Sequence, residues 1–447
     1  MNLLRNLPKV DKFITHPLLA GLNKHLLVKL SKEAIEELRQ EILANTSHTI
    51  DEDALARSVK RRYEALFEPS LKPLINATGV ILHTNMGRSV IAKSLLERAS
   101  SVICNYSNLE YNLEKGCRGE RYEHVSTHLK ELLNVEDVLV VNNNASAVFL
   151  ILNTFAKKKE VVVSRGELVE IGGSFRIPEV MKQSGAKLCE VGATNKTKLH
   201  DYEEAIHENT AMLMKVHQSN FSIEGFSEDV PYEKIQALAV QNNLLDYYDL
   251  GSGYIPDLPY HLGQNEHSLT HILTCNPSLI SFSGDKLFGS VQAGIIAGKK
   301  ELIAKLKKNQ LLRMLRVDKI TLSLLEESIK AYLKEEYEQL PTLWLLFQSI
   351  EALNTRALRL KEAIGHEKCD IIESQTYMGG GTLPNRKFPT IALSIKGKAT
   401  MLEKAFRKER VIGRIENDQF LLDLRALLPE NEAKLVNIAK HILGTNI

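Results

Sequence analysis

Apolar and polar positions follow two different patterns along this chain. Over the first 67 residues the apolar positions recur at helical spacing. Ser31 is placed to cap an amphipathic run over 32–44, and Thr49 or Asp51 to open a second run through Arg62 to Phe67. Pro69 and Pro73 then punctuate the chain, because two prolines four apart cannot sit inside one helix. From about residue 74 short β-rich runs alternate with helix-length segments. Strands are expected at 135–141, 161–164, 187–191, 211–216, 244–250, 279–282 and 293–297, with helices at 145–156, 178–185 and 232–242. Helical pattern resumes after residue 299 and runs past Leu311 to Leu333; a second long helix is expected over 341–365. The tail reads strand 390–395, helix 401–409, strand pair 411–424 and helix 430–443. Such a series implies crossover connections, hence an α/β fold with a mainly parallel sheet covered on both faces. The expected organisation is a helical segment 1–67, a linker 68–90, a large α/β domain 91–335 and a small C-terminal α/β domain 336–447.

Composition narrows the class. Of 447 residues 44% are hydrophobic and 25% charged, which excludes a disordered, collagen-like or coiled-coil molecule. Lys and Arg number 57 against 55 Asp and Glu, so a globally basic nucleic-acid coat is excluded while a local basic surface is not. Up to Phe67 eleven basic residues face nine acidic ones, with Arg57, Lys60, Arg61 and Arg62 clustered on the last helix and Lys24, Lys29 and Lys32 near the first. Phosphate contacts need patches of this kind rather than a basic average. The first residues lack the apolar core of a signal peptide, and no stretch approaches a membrane span, so a cytoplasmic protein is expected. The five scattered cysteines include no Cys-x-x-Cys and read as reduced thiols.

Chemistry should gather in the loops at the carboxyl ends of the strands. In Val141-Asn142-Asn143-Asn144-Ala145-Ser146-Ala147 a strand enters a helix through small polar residues, which suits a phosphate on the helix start or an ordinary cap. Asp249, in Tyr248-Asp249-Leu250-Gly251, ends a buried strand and must find a partner: a cationic ring nitrogen, a metal, a lysine, or the following turn. In Ser283-Gly284-Asp285-Lys286-Leu287-Phe288-Gly289 a lysine held between glycines and apolar strands is poorly solvated, which favours its neutral, nucleophilic form. The plainer reading is a solvent-facing loop lysine. Taken together, a phosphate cradle, a strand-end Asp and a loop Lys meet the needs of pyridoxal 5′-phosphate. His124-x-x-x-His128 has helical metal spacing but no third ligand nearby, and no metal is assigned.

Several strings carry a resemblance. Thr78-Gly79-Val80-Ile81-Leu82-His83-Thr84-Asn85-Met86-Gly87-Arg88, Val141-Asn142-Asn143-Asn144-Ala145, Glu170-Ile171-Gly172-Gly173-Ser174-Phe175-Arg176-Ile177-Pro178 and Ser283-Gly284-Asp285-Lys286-Leu287 resemble the bacterial selenocysteine synthase family, the L-seryl-tRNA(Sec) selenium transferases. The likeness runs from Leu7-Pro8-Lys9-Val10-Asp11-Lys12 to Val411-Ile412-Gly413-Arg414-Ile415 and Leu422-Asp423-Leu424-Arg425. It implies a fold-type-I pyridoxal-phosphate enzyme with an aminotransferase-like large domain, a small C-terminal domain and an N-terminal tRNA-binding domain. It further implies Lys286 as the Schiff-base lysine and Asp285 as an acid assisting proton transfer. Asp249, Asn144, Ala145, Ser146 and Ser283 would complete the cofactor site, and Arg88, Arg313 and Arg316 would bind the substrate anion. In Leu311-Leu312-Arg313-Met314-Leu315-Arg316 the two arginines are expected on one helix face. The implied reaction converts seryl-tRNA(Sec) to selenocysteinyl-tRNA(Sec) with selenophosphate, through a dehydroalanyl intermediate, in a cytoplasmic homo-oligomer, at least a dimer and by likeness a decamer. Two departures stand out: Ser290-Val291 where Gly-Pro is expected, and Ser146 where a third alanine is common. The rivals are a pyridoxal-phosphate lyase acting on a small phosphorylated amino acid or amino sugar acid, and a tRNA-binding protein with a decayed site.

Overall fold

The protein is described by a computed structural model over residues 3–44, 49–168, 170–171, 175–219, 221–223, 225–264 and 267–444. The chain forms two compact units, Met1–Pro73 and Leu74–Ile447, each with its own apolar core.

In the first unit α1 (Lys24–Leu43) and α2 (Glu52–Phe67) bury Leu27, Leu30, Ala34, Ile35, Ala56 and Val59. The cap of α1 is Asn23, whose Oδ1 accepts from the N–H groups of His25 and Leu26. This corrects the expected start at Ser31. The buried stripe of α1 runs through Leu27, Leu30 and Ala34, so Ser31 lies inside it, fully buried, its hydroxyl without a partner among the described residues. Asp51 rather than Thr49 caps α2, accepting from the Ala54 N–H at 2.9 Å. The basic cluster on α2 is largely neutralised where it stands. Arg62 makes a two-pronged pair with Glu37, Arg57 lies 3.8 Å from Asp51, and Lys60 lies 3.9 Å from Glu64.

The second unit begins at the expected proline boundary, but its first residues are not slack. Ile75–Asn76 pairs in parallel with Val411–Ile412, and Thr78 and Leu82 bridge to Asp423 and Gly379. The expected linker thus becomes part of the folded body beyond Pro73.

The main sheet contains β1 (Asp137–Val141), β2 (Glu160–Ser164), β3 (Lys187–Val191), β4 (Thr210–Val216), β5 (Leu245–Ser252), β6 (Leu279–Ser283) and β7 (Gly294–Gly298), in the order β1-β7-β6-β5-β4-β2-β3. All pairings are parallel except those of β7 with its two neighbours. The reason is connection length: residues 284–293 are too few for a crossover, so the strand after Lys286 returns antiparallel. β1, β6 and β7 are buried along their whole length, which is why they read as unbroken apolar runs. After β1 comes α3 (Asn144–Phe155).

Beyond the sheet the expected long helices break. The stretch after residue 299 is three helices, Lys300–Lys308, α4 (Leu312–Leu315) and α5 (Lys319–Leu333), the last capped by Asp318. The 341–365 helix is two, Pro341–Phe347 and Ile350–Ile364, because the Ser349 hydroxyl caps a new start by accepting from the Ala352 N–H. A long strand not expected from the sequence, β8 (Cys369–Gly379), pairs with β9 (Thr382–Ile395), which starts eight residues earlier than expected. With β10 (Arg414–Glu416) and β11 (Gln419–Asp423) they form a second sheet, ordered β8-β9-β11-β10. A cluster of Ile81, Leu82, Tyr254, Leu287, Met378 and Phe388 joins residues of both sheets' surroundings.

Candidate active site

The register of the main sheet lines up four residues across four strands: Val141, Gly294, Ser283 and Ser252. The three chemically loaded loops all leave the sheet at this row. Gly294 is what lets the first of them lie against β7. A Cβ there would stand 2.2 Å from the Asn143 carbonyl oxygen, so any side chain would push the loop away.

α3 starts at this loop. The Asn143 side chain caps the helix by accepting from the Ser146 N–H at 2.8 Å. The N–H groups of Asn144 and Ala145 belong to the first turn, where a helix offers no internal acceptor, and the Ser146 hydroxyl stands beside them. Asn144 also has a task that sequence reasoning did not assign. Its amide donates to Asp249 Oδ1 at 2.7 Å, while its own Oδ1 is buried without a protein partner.

Asp249 is buried in β5. Its Oδ1 also accepts from the Gly251 N–H at 3.1 Å, across a register irregularity where Gly251 takes φ +61°. Burial pushes its carboxyl above the usual range, opposed by the Asn144 hydrogen bond and the Lys286 charge. A carboxylate in this state gains most from a cationic partner.

Lys286 is 8% exposed and stands in the middle of the turn after β6. Burial lowers its amine below the ordinary lysine range; Asp249 and Asp285 oppose that and Arg88 reinforces it. The expectation of a poorly solvated lysine therefore holds against the solvent-facing alternative. The turn is closed by backbone bonds from Gly289 to Lys286 and from Ser290 to Gly284, both 2.8 Å. Ser290, where a glycine was expected, adds a bond from its hydroxyl to Ser328 at 2.8 Å, so the departure from pattern is accommodated by side-chain bonding. Ser283 sits buried at the end of β6 between Ser252 and Gly294.

Asp285 meets Arg88 at 2.7 Å. The arginine is presented by a tight loop in which Gly87 and Arg88 both have positive φ, and the Arg88 N–H donates to the His83 carbonyl. His83 Nδ1 is buried without a protein partner, and burial lowers the ring's pKa.

Contrary to the expectation from their spacing, Arg313 and Arg316 do not share a helix face. α4 ends at Leu315 and Arg316 is extended, its backbone bridging Val141. Asp318 then caps the next helix, so the chain runs extended from Arg316 to the start of α5. Both side chains instead line one cavity beside Arg121, and the Leu315 carbonyl accepts from the Asn142 N–H at 2.9 Å.

Two residues at the site were missed. Of the polar triplet 217–219 that follows β4, the neighbour of β5, His217 and Ser219 border the site and Gln218 donates instead to the Gly166 carbonyl. The His217 N–H donates to the Asp249 carbonyl at 2.8 Å. A Cβ on Gly251 would lie 3.2 Å from the Ser219 hydroxyl and 3.8 Å from Lys286 Nζ, so Ser219 borders the same space as the lysine. Their signal was position alone: a polar triplet at the carboxyl end of an apolar strand. Buried Glu167 anchors this segment by accepting from the Val216 N–H and the Lys215 ammonium. His124 and His128 contact the carbonyls of Asn108 and His124 respectively. In the Glu170–Pro178 string, residues Gly172, Gly173 and Ser174 lie outside the described residues.

A lysine of lowered basicity, a buried carboxylate and a helix start with donors to spare fit pyridoxal phosphate, and the orphaned Asn144 Oδ1 marks polar space left beside Asp249.

Comparison with known proteins agrees. The profile of the L-seryl-tRNA selenium transferase family matches residues 74–428. An L-seryl-tRNA(Sec) selenium transferase of Aliarcobacter butzleri is 58% identical over 446 residues, covering 99% of each chain. Another, of Sulfurimonas denitrificans, is 56% identical with the same coverage. Among solved structures, D-glucosaminate-6-phosphate ammonia-lyase superposes with a TM-score of 0.60 at 18% identity, covering 86% of this chain and 98% of that one, a likeness of fold.

Proposed function

The chain belongs to the L-seryl-tRNA selenium transferase family, and from that premise we propose that it converts seryl-tRNA(Sec) to selenocysteinyl-tRNA(Sec), with selenophosphate as selenium donor and pyridoxal phosphate held on Lys286. The observation that carries the reading is Lys286 itself, buried, of lowered basicity and bordered by Asp249, Asp285 and Ser219. The bound cofactor supplies an electron sink for the charge left when the serine α-proton departs. Asp249 would face its ring nitrogen, and the first turn of α3 with Ser146 would hold its phosphate.

The remaining work falls to the chain. The Lys286 amine, its basicity lowered by desolvation, is suited to take the α-proton. Hydroxide leaves poorly, so it must be protonated as it goes; Lys286, protonated once it holds the α-proton, is the donor in place, and the adjacent Asp285 can accept and relay that proton. Arg88, bound to Asp285, fixes that carboxylate and presents positive charge to the substrate. Arg313 and Arg316 supply forked donors for the selenophosphate anion. The N-terminal unit would grip the tRNA. The assembly would be a cytoplasmic homo-oligomer, at least a dimer and by family likeness a decamer. Among the described residues no helix is long and apolar enough to cross a membrane.

The test offers the purified protein seryl-tRNA(Sec) and selenophosphate. Selenocysteinyl-tRNA(Sec) is the expected product. Turnover confined to free phosphorylated amino acids or amino sugar acids would overturn the reading in favour of a lyase.

A further inference from the structure

Glu110 sits among the arginines of the cavity that contains Arg313 and Arg316, with Glu120 on the same lining. The cavity is about 390 Å³ and is lined by Glu110, Arg118, Arg121, Lys308, Arg313 and Arg316 among others. Glu110 Oε1 accepts from Arg121 Nε at 2.9 Å and from its terminal nitrogen at 2.8 Å, and lies 3.6 Å from Arg316. Its Oε2 accepts from Arg118 at 3.1 Å. The three contacts differ in kind. Arg121 is 14% exposed and also donates to the Val317 carbonyl at 2.8 Å, so it is a fixed strut between Glu110 and the segment after Arg316. At 3.6 Å Arg316 is attracted to Glu110 beyond hydrogen-bond range, which leaves its donors open. Hydrogen bonding from Arg121 holds the Glu110 carboxyl below the usual carboxylate range, so it is ionised at neutral pH.

We propose that Glu110 is a built-in counter-ion of the substrate-anion site, a positioning residue that keeps Arg121 and Arg316 in place and lowers the site's affinity for small multiply charged oxyanions. The inference rests on the reading that Arg313 and Arg316 bind the selenium donor. The four arginines and two lysines on the lining outnumber Glu110 and Glu120, an excess of positive charge enough to attract an anion. The negative charge of Glu110 tempers that attraction, so a phosphate-like product is released rather than trapped. Glu110→Gln separates the two effects: the amide oxygen still accepts from Arg121, but the charge is gone.

The experiment is calorimetric titration of inorganic orthophosphate into the cofactor-loaded full chain, with steady-state kinetics alongside. Removing one charge about 4 Å from the guanidiniums in a solvent-screened site should tighten orthophosphate binding about fivefold. KM for selenophosphate should fall in E110Q by a similar factor, and the charge-conserving Glu110→Asp should bind orthophosphate as the wild type does. If E110Q does not fold, Glu110→Asn carries the same expectation. Unchanged or weaker orthophosphate binding in the neutral variant would overturn the proposal. Arg316→Ala tests the underlying reading separately: if it binds orthophosphate as tightly as the wild type, that reading fails whatever E110Q does.

Discussion

Burying an amine takes it out of water and weakens its hold on a proton, and Lys286 shows the effect through both chemistry and stability. In the cofactor-free protein its folded pKa lies below the unfolded value of 10.5, so between the two the unfolded state binds more protons and stability rises with pH. We expect the melting temperature of cofactor-free wild type to climb relative to Lys286→Met as pH rises through that window, and the difference to level off above it. Parallel curves for the two proteins would exclude Lys286 as the titrating group. Ser31 gives a second residue-scale expectation, opposite in sign to the one its sequence suggested. A capping serine would cost about 1 kcal/mol when replaced by alanine. A buried hydroxyl without a partner does the reverse, so Ser31→Ala should stabilise the protein by about 1 kcal/mol in denaturant unfolding. Asp249 and Lys286 were legible because one charge stands near the end of a β-rich run and the other in the short glycine-flanked loop after one, places where a charge is not buried without a use. Ser219 and His217 were not, because their roles depend on β4 lying beside β5, which no local pattern states.

At the scale of elements, the site depends on loops approaching strands more closely than side chains permit. Gly294→Ala would drive a Cβ into the Asn143 carbonyl and tilt the start of α3. We expect a loss of about 1–3 kcal/mol, as for other overpacked sites, with a weaker hold on pyridoxal phosphate. Equilibrium unfolding and a titration followed by cofactor absorbance measure the two effects; wild-type cofactor affinity would show that the α3 start is not part of the phosphate cradle. Most central strands were legible because strands buried on both faces must be apolar throughout. The helices after residue 299 were read too long. Their breaks lie at Asn309, Asp318 and Ser349, polar residues that fit a helix surface as well as a cap until the surrounding contacts choose. β8 was missed because its exposed Glu373 and Gln375 interrupt any apolar run; pairing with β9 makes it a strand.

For the whole molecule, two cores imply two folding units. Residues 74–447 made without the first 73 should fold, take up pyridoxal phosphate and keep the absorbance of the loaded protein, while their affinity for seryl-tRNA(Sec) drops at least tenfold. Undiminished tRNA affinity by filter binding would remove the N-terminal unit from tRNA recognition. The near-balance of charge never identified that partner, and the structure sharpens the point, since Arg57, Lys60 and Arg62 each face a carboxylate of their own unit. The sequence by itself determined the α/β class, the proline boundary, the order of most strands, and the lysine and aspartate that ask for a cofactor. These follow from periodicity, ring geometry and the cost of burying charge, all local properties. Only the tertiary structure decided that Asn144 holds Asp249, that Arg88 pairs with Asp285 across 197 positions of sequence, and that Glu110 stands among Arg118, Arg121 and Arg316. Contacts of that kind are made by register and packing between distant strands and loops, and a one-dimensional pattern carries no term for them.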